Sequence, residues 1–114
     1  PLQALVLLND PQQLEAARFI GTRMLREGGP SPREQTAFAF RLLASRDATA
    51  AELATLTAAY AEQEALFATD PAGAAAVLNV GESPADPTLP ADRLAAASLV
   101  ASVLLNHDEV TTRR

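Results

Sequence analysis

The residue types best suited to chemistry are densest at Asn106-His107-Asp108-Glu109, where an amide, an imidazole and two carboxylates follow one another. Such a set could ligate a metal ion or move a proton. Neighbouring positions on a helix point about 100° apart, however, so these side chains converge only if the helix ends there and another segment helps. Zinc needs three or four convergent ligands. The chain has 1 His, 0 Cys and no His-x-x-x-His or His-Glu-x-x-His pair. The residues therefore read as a solvated helix end, although the negative charge of Asp108 and Glu109 opposes the helix dipole there unless they cap a following turn.

Other candidate sites are weaker still. A Ser or Thr nucleophile would need His107 within hydrogen-bond reach and a third group to orient the ring, and nothing local supplies them. Gly81-Glu82-Ser83-Pro84 begins like a nucleophile elbow but lacks the second Gly and the preceding strand, which leaves a capping turn. Glu82 and Asp86 could form a carboxylate pair, yet acid–base work needs a cleft that raises one pKa, and a turn-rich loop offers none. Asn9 and Asp10 lie between two helical runs, where Asp10 serves most simply as an N-cap. No catalytic residue, cofactor-binding residue or metal ligand is assigned within the chain. Asn9, Asp10, Glu82 and Asp108 are the positions to test if a site is shared with other domains.

The elements that would carry these residues are marked by helix-start signals. Ser, Thr or Asp at an N-cap satisfies free amides, and Pro at the first helical position presets the backbone. Asp10-Pro11 predicts a helix to Glu27, stopped by Gly28-Gly29, with Leu14, Ala17, Gly21 and Met24 on one face. A short apolar helix over 2–9 precedes it. Ser31-Pro32 opens the next helix, Glu34 completing a capping box and Phe38, Ala39, Leu42 and Leu43 forming its buried stripe, to about Ser45.

Thr49 and Glu52 repeat the capping box and start a helix to Ala68, with Leu53, Leu56, Tyr60 and Phe67 on one side and Glu62 and Glu64 away from it. Asp70-Pro71 caps a short Ala-rich helix ending at Val80-Gly81. The stretch from Glu82 to Pro87 is an irregular connection. Pro90 begins a final helix through Asn106. Its Leu94, Leu99, Val100, Val103, Leu104 and Leu105 cover most of the circumference, which predicts a central place in the packing. No segment alternates with period two, so the fold class is all-α: a compact bundle of about five helices with short connections punctuated by Pro and Gly.

Composition sets the outer limits. With 114 residues, 48% hydrophobic and 20% charged, the chain fits a single globular domain. Its formal net charge of -5 argues against a nucleic-acid partner, because phosphate binding draws on clustered cations. All the basic residues are Arg, interspersed with Glu and apolar residues rather than forming a run. The absence of Cys removes disulfides, thiolate metal sites and cysteine nucleophiles. Leu94 to Leu105 falls short of the roughly 20 apolar residues a membrane span needs, so no span is expected. The aromatics Phe19, Phe38, Phe40, Tyr60 and Phe67 fall at helical spacing and read as core filling. Beginning at Pro1 without Met or a leader pattern, the chain reads as part of something longer.

Several short motifs in a fixed order then narrow the reading. Pro1-Leu2-Gln3-Ala4-Leu5, Leu8-Asn9-Asp10-Pro11-Gln12 and Glu15-Ala16-Ala17-Arg18 are followed by Phe40-Arg41-Leu42, Ser45-Arg46 and Ala51-Glu52-Leu53. Val80-Gly81-Glu82-Ser83-Pro84 and Ala101-Ser102-Val103-Leu104-Leu105-Asn106 with Asp108-Glu109 complete the series. Together they resemble the C-terminal region of planctomycete cytochrome C domain-containing proteins, a bacterial family of unknown function. The chain departs from that pattern at Gln13, where an aromatic is usual, at His107, where an apolar residue is usual, and at Val110, where Phe is usual. The resemblance implies a C-terminal helical subdomain of a multi-domain, exported, hence periplasmic or otherwise extracytoplasmic, protein, with any haem-binding part upstream. It carries over no catalytic residue and no cofactor.

Two functions are therefore expected to compete. In the first, the chain is a structural and interaction subdomain whose partners are the upstream domains of its parent or a second copy of itself, with Pro1 to Asp10 and the Glu82 to Pro87 loop near the junction. It should then leave apolar surface uncovered. In the second, it completes the active site of an extracytoplasmic enzyme whose main catalytic part lies upstream.

Overall fold

A computed structural model describes residues 11–79 and 85–106. Among the described residues there are five helices and no strand: α1 (Pro11–Glu27), α2 (Pro32–Ala44), α3 (Ala50–Ala68), α4 (Pro71–Leu78) and α5 (Ala91–Leu105). The all-α bundle expected from the helix-start signals is the observed architecture. The short helix expected over 2–9 lies outside the described residues.

Local chemistry sets most boundaries. At α3 the Thr49 hydroxyl accepts from Glu52 N at 3.1 Å while the Glu52 carboxylate accepts from Thr49 N at 2.9 Å, a complete capping box. Ser31 makes only the hydroxyl half of the box expected there: its Oγ accepts from Glu34 N at 3.2 Å, while the Glu34 carboxylate lies beside Gly29. Asp70 Oδ1 accepts from Gly73 N at 3.0 Å and caps α4, which ends at Leu78, slightly earlier than the Ala-rich run suggests. Pro90 stands at the N-cap of α5 rather than inside it and offers no side-chain bond. α1 stops where Gly29 takes a φ of +117°, a backbone angle that side chains with a Cβ disfavour.

The core is organised around α5, which packs against all four other helices and most extensively against α1. Every residue from Leu94 to Ser102 is buried, as the apolar circumference of this helix predicts. Many of them are small (Ala95, Ala96, Ala97, Ser98, Ala101 and Ser102), so neighbouring backbones can come close. Val103, expected in the core, is 44% exposed. α1 runs antiparallel to α5: Gln13 meets Asn106 near one end of the pair and Gly21 meets Ser98 further along. Leu14, Ala17 and Met24 are fully buried on the predicted face, and Gly21 is buried with them.

Two stripes differ from expectation. In α2 the apolar runs Phe38-Ala39-Phe40 and Leu42-Leu43 allow two helical registers, and the fold takes the one that buries Thr36, Ala39, Phe40 and Ala44. Leu42 is left 37% exposed, with Phe38 and Leu43 at the core margin. In α3 only Tyr60 is fully buried, while Leu56 and Phe67 pack against the core from its edge. Glu62 is exposed as expected, but Glu64 turns toward α5 and pairs with Arg93 at 3.0 Å.

Candidate functional site

Of the polar cluster at the chain's end, Asn106 lies within the described residues, and His107, Asp108 and Glu109 lie outside them. Asn106 is engaged in structure rather than chemistry. Its amide exchanges two hydrogen bonds of 3.2 Å with the amide of Gln13 and donates a third to Ser102 O at 2.8 Å. The start of α1 is thereby tied to the end of α5. Asn9, Asp10, Glu82 and Ser83 also lie outside the described residues, and with them the expected Asp10 cap, the carboxylate pairing of Glu82 and the Ser83 turn. Among the described residues no group of three or more His, Cys, Asp or Glu could hold a metal ion. No described helix is long and apolar enough to cross a membrane.

Asp86 is the candidate the fold does position. Its Oδ1 accepts from Thr88 N at 2.8 Å and from Thr88 Oγ1 at 2.6 Å, and its Oδ2 forms an ion pair with Arg26 of α1. The hydrogen bonds from Thr88, followed by the charge of Arg26, hold the carboxyl below its ordinary range. A general acid would need the opposite displacement. Asp86 therefore anchors the 85–89 segment to α1.

That segment separates two open clefts. One, of about 470 Å³, lies between the end of α3, α4 and the start of α5, with Phe67, Ala74, Leu78 and Leu89 in its apolar lining. The other, of about 390 Å³, is lined from α1 by Arg18, Phe19, Thr22 and Arg26. Ala85, Asp86 and Pro87 belong to both. Phe19 is 54% exposed, a correction to its expected place in the core, because its helix turns Leu14, Ala17, Arg18 and Gly21 inward instead.

Two buried polar contacts escaped the sequence reading. Arg18, only 2% exposed, donates from Nη1 to Leu78 O at 2.6 Å and faces Glu15 at 3.7 Å. It caps the C-terminal end of α4, where carbonyls lack helical partners and positive charge is favoured. Its signal was its position, four residues from Leu14 and three from Gly21 on the apolar stripe. Inside the α2–α3 hairpin, Tyr60 donates its hydroxyl to Gln35 Oε1 at 2.5 Å, and Gln35 Nε2 donates to Gly29 O at 2.9 Å. Burial pushes the Tyr60 phenol above its ordinary value, which keeps it a neutral donor. Gln35 stands one turn before Ala39, a placement legible only once the register of α2 is known.

Comparison with known protein families gives a match over residues 1–60 to PSD1, described as a protein of unknown function (DUF1553). The chain belongs to this family. The DUF1553 match covers α1, α2, the first half of α3 and the residues before α1. It therefore takes in Gly21, Arg18 and the Thr49 capping box, while the Ala85–Pro87 segment and α5 lie beyond it. No curated protein matches the chain. No solved structure matches it either.

Proposed function

We propose that this DUF1553 chain is a helical structural and interaction subdomain of a larger, exported, cytochrome-c-linked bacterial protein, docked on the rest of its parent through the surface around Ala85–Pro87. The observation that carries the reading is the shared wall of the two clefts. Ala85, Asp86 and Pro87 stand between the apolar lining at Phe67 and Leu89 and the half-exposed ring of Phe19. An exposed apolar side chain alone is ordinary; an apolar cleft beside one that joins the Phe19 ring to Arg18, Thr22 and Arg26, across one anchored segment, suits a partner surface. The Arg26–Asp86 ion pair holds that segment in place without a partner, so the surface is preformed. The link to cytochrome c is supported by the ordered motifs that resemble that protein group, and export follows from the same resemblance.

The test compares amide hydrogen exchange in the isolated chain and in the full-length parent. Slower exchange over residues 17–26 and 85–92 in the parent is the expected result, and Phe19→Asp in the parent should restore fast exchange without unfolding α1. Equal exchange in the two contexts would refute docking through this surface. A signal peptide and a Cys-x-x-Cys-His motif upstream, with a haem absorption band in the purified parent, test the cytochrome and export parts separately.

A further inference from the structure

A second apolar groove, of about 290 Å³, lies where α2, α3 and the end of α5 meet and shares no residue with the two clefts beside Ala85–Pro87. Phe40, Leu56, Val103 and Leu104 supply its apolar lining. Val103 is 44% exposed there, the one break in the buried run of α5 from Leu94 to Leu104. The acidic residue in the lining, Glu52, is engaged by Arg46 at 2.8 and 3.0 Å and by Thr49 N at 2.9 Å, so its charge is already answered.

The chain carries a segment of matching chemistry. Residues 1–10 precede α1 and lie outside the described residues; Leu2-Gln3-Ala4-Leu5-Val6-Leu7-Leu8 holds no charge and only one polar side chain. Its point of attachment is fixed. The paired amides of Gln13 and Asn106 hold the start of α1 at the end of α5, one helical turn from Val103. Ten residues reach about 33 Å when extended and about 15 Å as a helix, against a helix diameter of about 10 Å, so the groove is within range of the segment in either form. The geometry points to an intramolecular occupant: Leu2–Leu8 of the same chain seats in the groove formed by Phe40, Leu56, Val103 and Leu104 and covers the exposed face of Val103. Attachment so close to the groove keeps the effective concentration of the segment high, which favours it over a second copy.

The 114-residue chain has no cysteine, so Val103→Cys can carry a single nitroxide on it. The amide resonances of residues 2–8 should lose most of their intensity and regain it on reduction of the label. Amides of α4, which packs toward the other end of α5, should keep theirs. Leu5→Asp should abolish the loss at residues 2–8 while leaving the α1–α5 spectrum intact. If Val103→Cys does not fold, the exposed Thr55→Cys on the opposite wall gives the same readout. Unaffected amides at residues 2–8 would overturn the proposal. So would a loss seen only when nitroxide-bearing and isotope-labelled chains are mixed, which would assign the groove to a second copy.

Discussion

Gly21 of α1 and Ser98 of α5 meet backbone to backbone: a Cβ on Gly21 would stand 2.9 Å from Ser98 Oγ, 3.0 Å from its N and 3.2 Å from its Cα. The hydroxyl could rotate aside, but the other two atoms belong to a helix packed on all sides. Alanine at an ordinary helical site improves on glycine by about 1 kcal/mol. Forcing an extra methyl into a packed interface costs about 1–3 kcal/mol, so the contact wins. Gly21→Ala should lower the thermal midpoint by several degrees, at about 4–8 °C per kcal/mol for a domain near this size, and Gly21→Val should lower it further. Ser98→Ala in the Gly21→Ala background should recover little. A midpoint unchanged or raised by Gly21→Ala, followed by circular dichroism, would show that α1 and α5 separate freely.

The Arg18 guanidinium reaches from α1 to the last turn of α4 and bonds Leu78 O at 2.6 Å. Arg18→Met keeps much of the side-chain volume but leaves that carbonyl without its donor. A hydrogen bond to a charged group contributes about 1.5–3 kcal/mol, and urea unfolding of Arg18→Met should show a loss in that range. Arg18→Lys should restore only part of it, because an ammonium lacks the planar fork that serves Leu78 and Glu15 together. A variant as stable as the natural chain would show that solvent replaces the bond.

Much of this was legible in the residues. Thr49 with Glu52, Asp70 with Pro71, and Gly28-Gly29 mark helix ends through contacts within a few positions, and local chemistry of that kind survives folding. The central place of α5 followed from apolar residues on every side. What could not be read depended on distant partners. Leu42 and Phe40 are equally apolar, and only packing against α3 and α5 decides which is buried. Arg18 and Leu78, or Gln13 and Asn106, are joined across 60 and 93 positions by a fold that no short window contains. Asp86 looked like half of a carboxylate pair because its real partners, Thr88 and Arg26, became visible only with the 85–89 segment in place.

Tyr60 and Gln35 are the polar centre of the α2–α3 hairpin. Tyr60→Phe removes the donor and leaves Gln35 Oε1 buried without a partner, which should cost about 1–3 kcal/mol. Adding Gln35→Leu removes the stranded acceptor but also the bond from Gln35 Nε2 to Gly29 O. The double variant should therefore be less destabilised than the sum of the two single variants, by about 0.5–3 kcal/mol of coupling. Additive losses in a denaturant double-mutant cycle would show that the short hydroxyl contact contributes nothing to the fold.

Glu52 gives the fold a defined response to acid. The hydrogen bond from Arg46, helped by the backbone amide of Thr49, pulls its carboxyl down to about 2 from an ordinary 4.5. A carboxyl with a lowered folded value stabilises the protein fully above its unfolded value, and that share disappears as pH falls from about 4.5 toward 2. Glu27, lowered by Arg23, and Asp86, lowered mainly by Thr88, lose their shares in the same direction, so acid weakens the protein whether or not Glu52 is present. Glu52→Gln isolates the difference. The amide can still accept from Thr49 N but carries no charge for Arg46 or for the positive end of the helix dipole. At neutral pH the variant should unfold at lower urea than the natural chain, and the gap should close as pH approaches 2. A gap that stays constant with pH would assign the effect to the shape of the capping box and not to the Arg46 ion pair.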